Sequence, residues 1–169
     1  MKVISLTQDK VALVDDEDYE RLNQFKWYAR WNNQRFYACR KIKTSNGQKI
    51  EHMHRVIAIT PHGLDTDHKN GDSLDNQKDN LRWASRAQNM QNQKYPARNN
   101  KLGIKGVSLK CRKFEAKIKL NGKNIRLGLF TVLGDADSAY REAEDKHYGV
   151  FSRNSKLANA MPKKVLLQQ

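Results

Sequence analysis

A chain of 169 residues with 38% hydrophobic and 30% charged residues can bury a core but not a large one, so small modules are expected rather than one big sheet. The formal net charge of +14 favours a polyanionic partner, because Lys and Arg gain by displacing counterions condensed on phosphates. No apolar run is long enough to span a bilayer and no signal peptide follows "MKVISLTQDK", which argues against membrane insertion and makes a cytoplasmic location the expectation, while Cys39 and Cys111 are too few for a zinc cluster or disulfide framework.

The charge is zoned. Residues 1–64 carry a balance of +4, residues 65–95 are neutral, and residues 96–169 carry +10. In the first zone "KVISL" and "KVALV" read as short strands, and "DDEDYERLNQF" reads as a helix whose early acids suit the positive end of its dipole. "KWYARW" and "RFYACRKI" alternate around "NNQ" as a hairpin does. Its Trp27, Trp31 and Tyr37 read as filling a small core, with nucleic-acid contact by Arg30, Arg35 and Arg40 as the competing reading. "HMHRVIAI" then begins a helix with Val56, Ile57 and Ile59 inward; His52, His62 and His147 carry no assigned role, and His54 either supports a site or is structural.

The neutral zone holds the densest polar pattern. "LDTDHKNGD" reads as a strand end running into a turn at Asn70-Gly71, "DNLRWAS" as a short return strand, and Ser85 with Gln88 as a capping box that starts a helix at about Ser85. This order brings Asp67, His68 and Asn89 within reach of one point. Asp67 and Asn89 supply oxygen ligands of the kind Mg²⁺ takes while keeping several waters. A neutral His68 is suited to taking a proton from a water that attacks phosphorus. Neighbouring strand residues point to opposite sides, so Asp67 and His68 share a substrate only if the strand ends or bends there.

With "MHR" at 53–55, "DHKNGDSLDNQKDNLRWAS" at 67–85 and "QNMQN" at 88–92, the sequence resembles the HNH or ββα-metal nucleases, in particular the phage and intron-associated homing endonucleases. The resemblance implies that His68 is the general base, that Asp67 and Asn89 hold one divalent metal, Mg²⁺ or Mn²⁺ in its place, and that Asn80 braces the loop and aims the histidine. The last position is Asn89 rather than the His of bacterial toxin nucleases, so metal choice transfers less well from that group.

"QKYPARNNKLG" marks a linker. Beyond it, three strands and a helix are expected, with Phe114, Ala116, Ile118 and Leu120 on one face of the second strand and Glu115, Lys117 and Lys119 on the other. In the third strand Ile125, Leu127 and Leu129 are expected inward and Asn124 and Arg126 outward. Ala136, Ala139, Tyr140 and Ala143 recur at helical spacing and give a face that lies close on the sheet. The blocks "KGV", "FEAKI", "RLGLF" and "ADSAYREAEDKHYG" resemble the AP2 domain, which implies DNA contacts from Lys110, Arg112, Lys117, Lys119 and Arg126. Phe114 and Arg126 depart from the positions where many members carry Trp, so no base preference transfers.

The expectation is therefore an α+β chain: an N-terminal α+β extension at 1–50, an HNH core at 51–95, a linker at 96–102, an AP2-like three-stranded antiparallel sheet packed on one helix at 103–154, and a tail at 155–169. The expected activity is metal-dependent hydrolysis of double-stranded DNA by a monomer or homodimer. A DNA-binding protein with a decayed nuclease fold and an RNA-directed nuclease are the alternatives.

Overall fold

A computed structural model of the chain describes residues 1–32, 34–93, 96 and 100–152. Residues 97–99 of the expected linker and all of the expected tail lie outside the described residues. The elements run β1 (Lys2–Ser5), β2 (Val11–Val14), α1 (Asp16–Asn23), β3 (Tyr28–Asn32), β4 (Arg35–Thr44), β5 (Gly47–His52), α2 (Met53–Ala58), β6 (Asp65–His68), β7 (Leu81–Ala84), α3 (Arg86–Gln91), β8 (Val107–Lys110), β9 (Lys113–Leu120), β10 (Lys123–Phe130) and α4 (Leu133–Tyr148). All strand ladders are antiparallel: β1 with β2, β3-β4-β5, β6 with β7, and β10-β9-β8. The described residues divide into two compact units, one from Met1 to Asn89 and one from Met90 to Ser152.

One core runs through the first unit. Ile4, Ala12, Val14, Leu22, Trp27, Ala38, Met53, Ile57 and Leu81 pack together, so residues before position 50 share their interior with those after it. Trp27 is buried with its indole N–H donating to Leu22 O at 2.9 Å, which satisfies the one polar group that burial would strand. Leu22 and Met53 are fully buried, where truncation to Ala costs about 2–5 kcal/mol.

Two side chains expected in this core are not there. Trp31 is 56% exposed, because it faces outward on β3, where it meets the Phe36 ring at a tilt with 4.8 Å between centroids. Ile59 is 80% exposed, because it caps α2 in the left-handed conformation, at φ 46°, and its side chain leaves the helical face. Tyr37 is half-buried. The third strand of this sheet, β5, was not anticipated; it pairs Glu51 with Arg40 across the ladder, and the two form an ion pair at 2.6 Å. Cys39 is buried in β4, and burial pushes its thiol up to about 11, which leaves it inert.

The second unit packs α4 on a three-stranded sheet. Val107, Ala116, Ile118, Ala136, Tyr140, Ala143 and Tyr148 form its core. Gly106 sits at φ +75°, and a Cβ there would lie 2.0 Å from the Tyr140 ring, so only glycine admits this close approach. The alternation expected in β10 fails. The ladder to β9 shifts register between Arg126 and Gly128, and Gly128 and Phe130 then pair with Ala116 and Phe114 on the core side. Leu129 accordingly turns outward opposite Glu115, and Ile125, on the strand at the sheet edge, is 45% exposed. Cys111 lies in the turn between β8 and β9, at φ 48°, beside Arg112 at φ 60°.

Candidate active site

The segment from β6 to α3 builds the site. β6 and β7 pair Asp67 with Arg82 and His68 with Leu81. Asp65 and Asp67 are two residues apart on β6 and so share a face, while His68 ends the strand and opens a turn in which Gly71 N donates to His68 O at 2.8 Å. The capping box is present: Ser85 N donates to Gln88 Oε1 at 2.7 Å and Gln88 N to Ser85 Oγ at 3.3 Å, which starts α3 where the sequence places it. That start carries Asn89 back to β6, where its Nδ2 donates to Asp65 Oδ2 at 3.1 Å. Asn89 therefore meets the face that Asp67 shares.

His68 is 5% exposed and lies 3.4 Å from Asn76 Oδ1 through its Nε2. Asn76 Nδ2 donates to Leu74 O at 3.1 Å, which fixes the amide so that its oxygen faces the imidazole. An accepting oxygen there requires Nε2 to carry the proton, so the lone pair belongs to Nδ1. Burial lowers the His68 pKa to about 4, with the Asn76 contact and Asp67 opposing, so the ring is neutral at physiological pH. Asn80 ties the two arms of the loop: its Oδ1 accepts from Asn70 N at 3.0 Å, its Nδ2 donates to Asp75 O at 2.8 Å, and its carbonyl accepts from Lys69 N at 2.8 Å.

Asp67 is not a bare carboxylate. Its Oδ2 receives Arg82 Nε and Nη2, both at 2.7 Å, in a pair whose side chains are 5% and 8% exposed. Among the described residues no group of three His, Cys, Asp or Glu is placed to hold a metal, so a cation here relies on Asp67 with an amide oxygen. Asn89 suits that task, since its Nδ2 is committed to Asp65 and its Oδ1 is the atom left to offer.

Residues before position 51 reach the same loop. Leu13 N donates to Leu74 O at 2.9 Å and Asn76 N to Leu13 O at 2.8 Å, while Asp15 accepts from Lys78 N at 2.7 Å and Gln77 Nε2 at 3.2 Å. From β4, Arg35 Nη1 donates to Gly71 O at 3.3 Å and Phe36 O accepts from Ser73 Oγ. Tyr37 stands among three imidazoles, with ring centroids 6.0 Å from His52, 5.6 Å from His54 and 6.4 Å from His68. His54 lies 5.1 Å from His68 ring to ring; its Nδ1 is buried with no hydrogen-bond partner among the described residues, and burial holds its pKa well below the usual value.

Asp65, Asn76 and Arg82 thus join the site, although sequence reasoning assigned them nothing. For Asp65 the signal was the strand spacing "DTD", which puts both acids on one face. In the second unit, Lys110, Arg112, Lys117, Lys119 and Arg126 are all exposed. Glu115, expected outward with them, is 3% exposed because it lies under three of these cations: Lys117 at 2.6 Å, and Lys110 and Arg126 each at 3.4 Å.

No curated protein and no solved structure matches the chain. No helix among the described residues is long and apolar enough to cross a membrane. Residues 51–91, which contain Asp67, His68, Asn80 and Asn89, match the family described as HNH endonuclease, and an HNH endonuclease domain points to metal-dependent nuclease activity on DNA.

Proposed function

We propose that the chain is an HNH endonuclease of the homing type that hydrolyses phosphodiester bonds in double-stranded DNA, one strand per visit, leaving 5′-phosphate and 3′-hydroxyl ends. The observation that carries this reading is His68: a buried, neutral imidazole with its Nε2 tied to Asn76, next in sequence to Asp67, inside the matched segment. Asp67 and Asn89 would hold the divalent cation, Mg²⁺ or Mn²⁺, and the donor set fits, since a carboxylate and an amide oxygen are hard ligands. When bound, the cation supplies electrostatic stabilisation to the charge that builds on the phosphate and the leaving 3′ oxygen.

The chain's own residues do the rest. Nδ1 of His68 accepts the proton of the attacking water, and Asn76 keeps hold of Nε2–H as the ring becomes positive. Asn80 braces the turn that aims His68. No covalent enzyme intermediate forms. The second unit docks on the duplex in the manner of an AP2-like sheet: α4 covers one face, and Lys110, Arg112, Lys117, Lys119 and Arg126 lie on the other side and its rim, where a major groove accommodates β structure. One active site cuts one strand at a time, so a monomer nicks and a double-strand break requires a homodimer or a second visit.

A single observation favours the alternative, a non-catalytic DNA-binding protein: the Arg82 guanidinium already neutralises Asp67. Supercoiled plasmid incubated with Mg²⁺, Mn²⁺ or EDTA separates the readings. Nicked product that needs metal and disappears in His68→Ala supports the nuclease; no product from wild type supports the alternative, and retained cleavage in His68→Ala removes His68 as the base.

A further inference from the structure

Three consecutive residues of β4 meet the catalytic loop: Arg35 at Gly71, Phe36 at Ser73 and Tyr37 at His68. All three precede residue 51 and lie outside the matched segment. Arg35 and Tyr37 are two apart on the strand and share its face. Arg21, Arg40, Arg82 and Arg86 in the same unit each meet a carboxylate. Arg35, like Arg30 and Arg55, meets none among the described residues; it spends one donor on the Gly71 carbonyl beside the catalytic loop, and a guanidinium has five. The Tyr37 hydroxyl likewise has no hydrogen-bond partner among the described residues, although the charges of Arg35 and Asp67 both act on it.

An unneutralised guanidinium and an unpartnered hydroxyl, side by side at the catalytic histidine, form a concentrated set of donors aimed at an anion. From this juxtaposition we infer that Arg35 and Tyr37 are active-site residues contacting the scissile phosphodiester: Arg35 donates to a non-bridging oxygen and Tyr37 O–H to the same phosphate group. This rests on the nuclease reading above and adds to it, because the active site then extends beyond the HNH segment onto the sheet before it. Guanidinium to phosphate is a charge-assisted hydrogen bond that strengthens as negative charge gathers on the oxygens in the transition state. Arg35 and Tyr37 accordingly act on the chemical step more than on duplex affinity, which the many other basic residues supply.

The test is steady-state nicking of supercoiled plasmid by the full chain with Mg²⁺, comparing wild type, His68→Ala, Arg35→Gln, Arg35→Lys and Tyr37→Phe. Arg35→Gln should lower kcat by about 10²-fold with KM within about twofold, Arg35→Lys should recover part of that loss, and Tyr37→Phe should lower kcat by about tenfold. Tyr37→Phe keeps the ring against His52, His54 and His68, so it reads the hydroxyl alone and is valid even if Arg35→Gln perturbs the loop. Wild-type kcat in both Arg35→Gln and Tyr37→Phe overturns the inference while leaving the nuclease reading intact, as does a loss confined to KM. No cleavage by wild type overturns the nuclease reading and this inference with it.

Discussion

Asp67 in the first unit and Glu115 in the second are both carboxylates buried against cations, and the two arrangements differ in whether the cationic partner is inside as well. In the first, Asp67 and Arg82 are both nearly sealed from solvent and meet through two nitrogens. In the second, Glu115 is sealed but Lys110, Lys117 and Arg126 are about half exposed above it. Removing one member of a closed pair strands a charge, whereas removing one cation of three leaves the carboxylate two partners and open water nearby. The first arrangement positions a carboxylate; the second spaces three positive charges on a surface and holds them apart from solvent competition at their base.

Arg82→Met breaks the comparison most severely. It leaves Asp67 buried without its guanidinium, and the first unit should lose about 3–5 kcal/mol in chemical denaturation; a loss below about 1 kcal/mol would show that Asp67 relaxes to solvent. Mg²⁺ asks the same question from the other side. If Asp67 engages a cation, wild type gains about 2.7 kcal/mol at a hundredfold excess over Kd, and Asp67→Asn loses most of that gain; equal shifts of Tm in both would place the ion elsewhere.

Protons probe the first unit through its imidazoles. Burial lowers the pKa of His52, His54 and His68, so the unfolded chain takes up protons before the folded one. Stability is then complete above pH 6.5 and falls as the pH drops toward the folded values, by about 1.4 kcal/mol per pH unit for each ring that stays neutral when folded. Thermal melts from pH 7 to 5 should show this slope, and His54→Leu should flatten it by one ring's share; an unchanged slope would mean that His54 protonates in place. The smallest effect belongs to the exposed cluster. Lys117→Ala should leave the fold intact and reduce the salt slope of duplex binding by about one, measured by fluorescence anisotropy. A loss of folding there would mean that the cations over Glu115 are structural rather than phosphate-facing.

What the sequence disclosed was local. Ser85 and Gln88 locate the start of α3 because a capping box is complete within four residues, and the alternation of β9 is visible because Ala116 and Ile118 face α4. The position of Asp67 beside His68 at a strand end was readable from Asn70-Gly71. Partners set by distant chain were not readable. Nothing in "LDNQ" distinguishes Asn76, whose role depends on Leu13 and His68, and Arg82 reads as one basic residue among many until β6 pairs with β7. β5 escaped notice because "GQKIEH" is polar at most positions and lacks the apolar alternation of a half-buried strand. The fault in β10 had a signal, Gly128 inside a strand pattern, which marks a bulge more often than a regular ladder.

The hydrogen bonds from Leu13 and Asp15 to residues 74–78 span more than sixty positions. During synthesis, residues 11–15 exist well before the loop they clasp, and a chain folds as it emerges. Ile4, Val14 and Leu22, however, share their core with Leu81, which follows the loop, so the receiver that residues 11–15 form is completed only when β7 joins it and the two close together. Transplanting the matched segment into another scaffold would forfeit that receiver. Nuclease engineering from this chain should carry the β2 strand and Asp15 along with the loop.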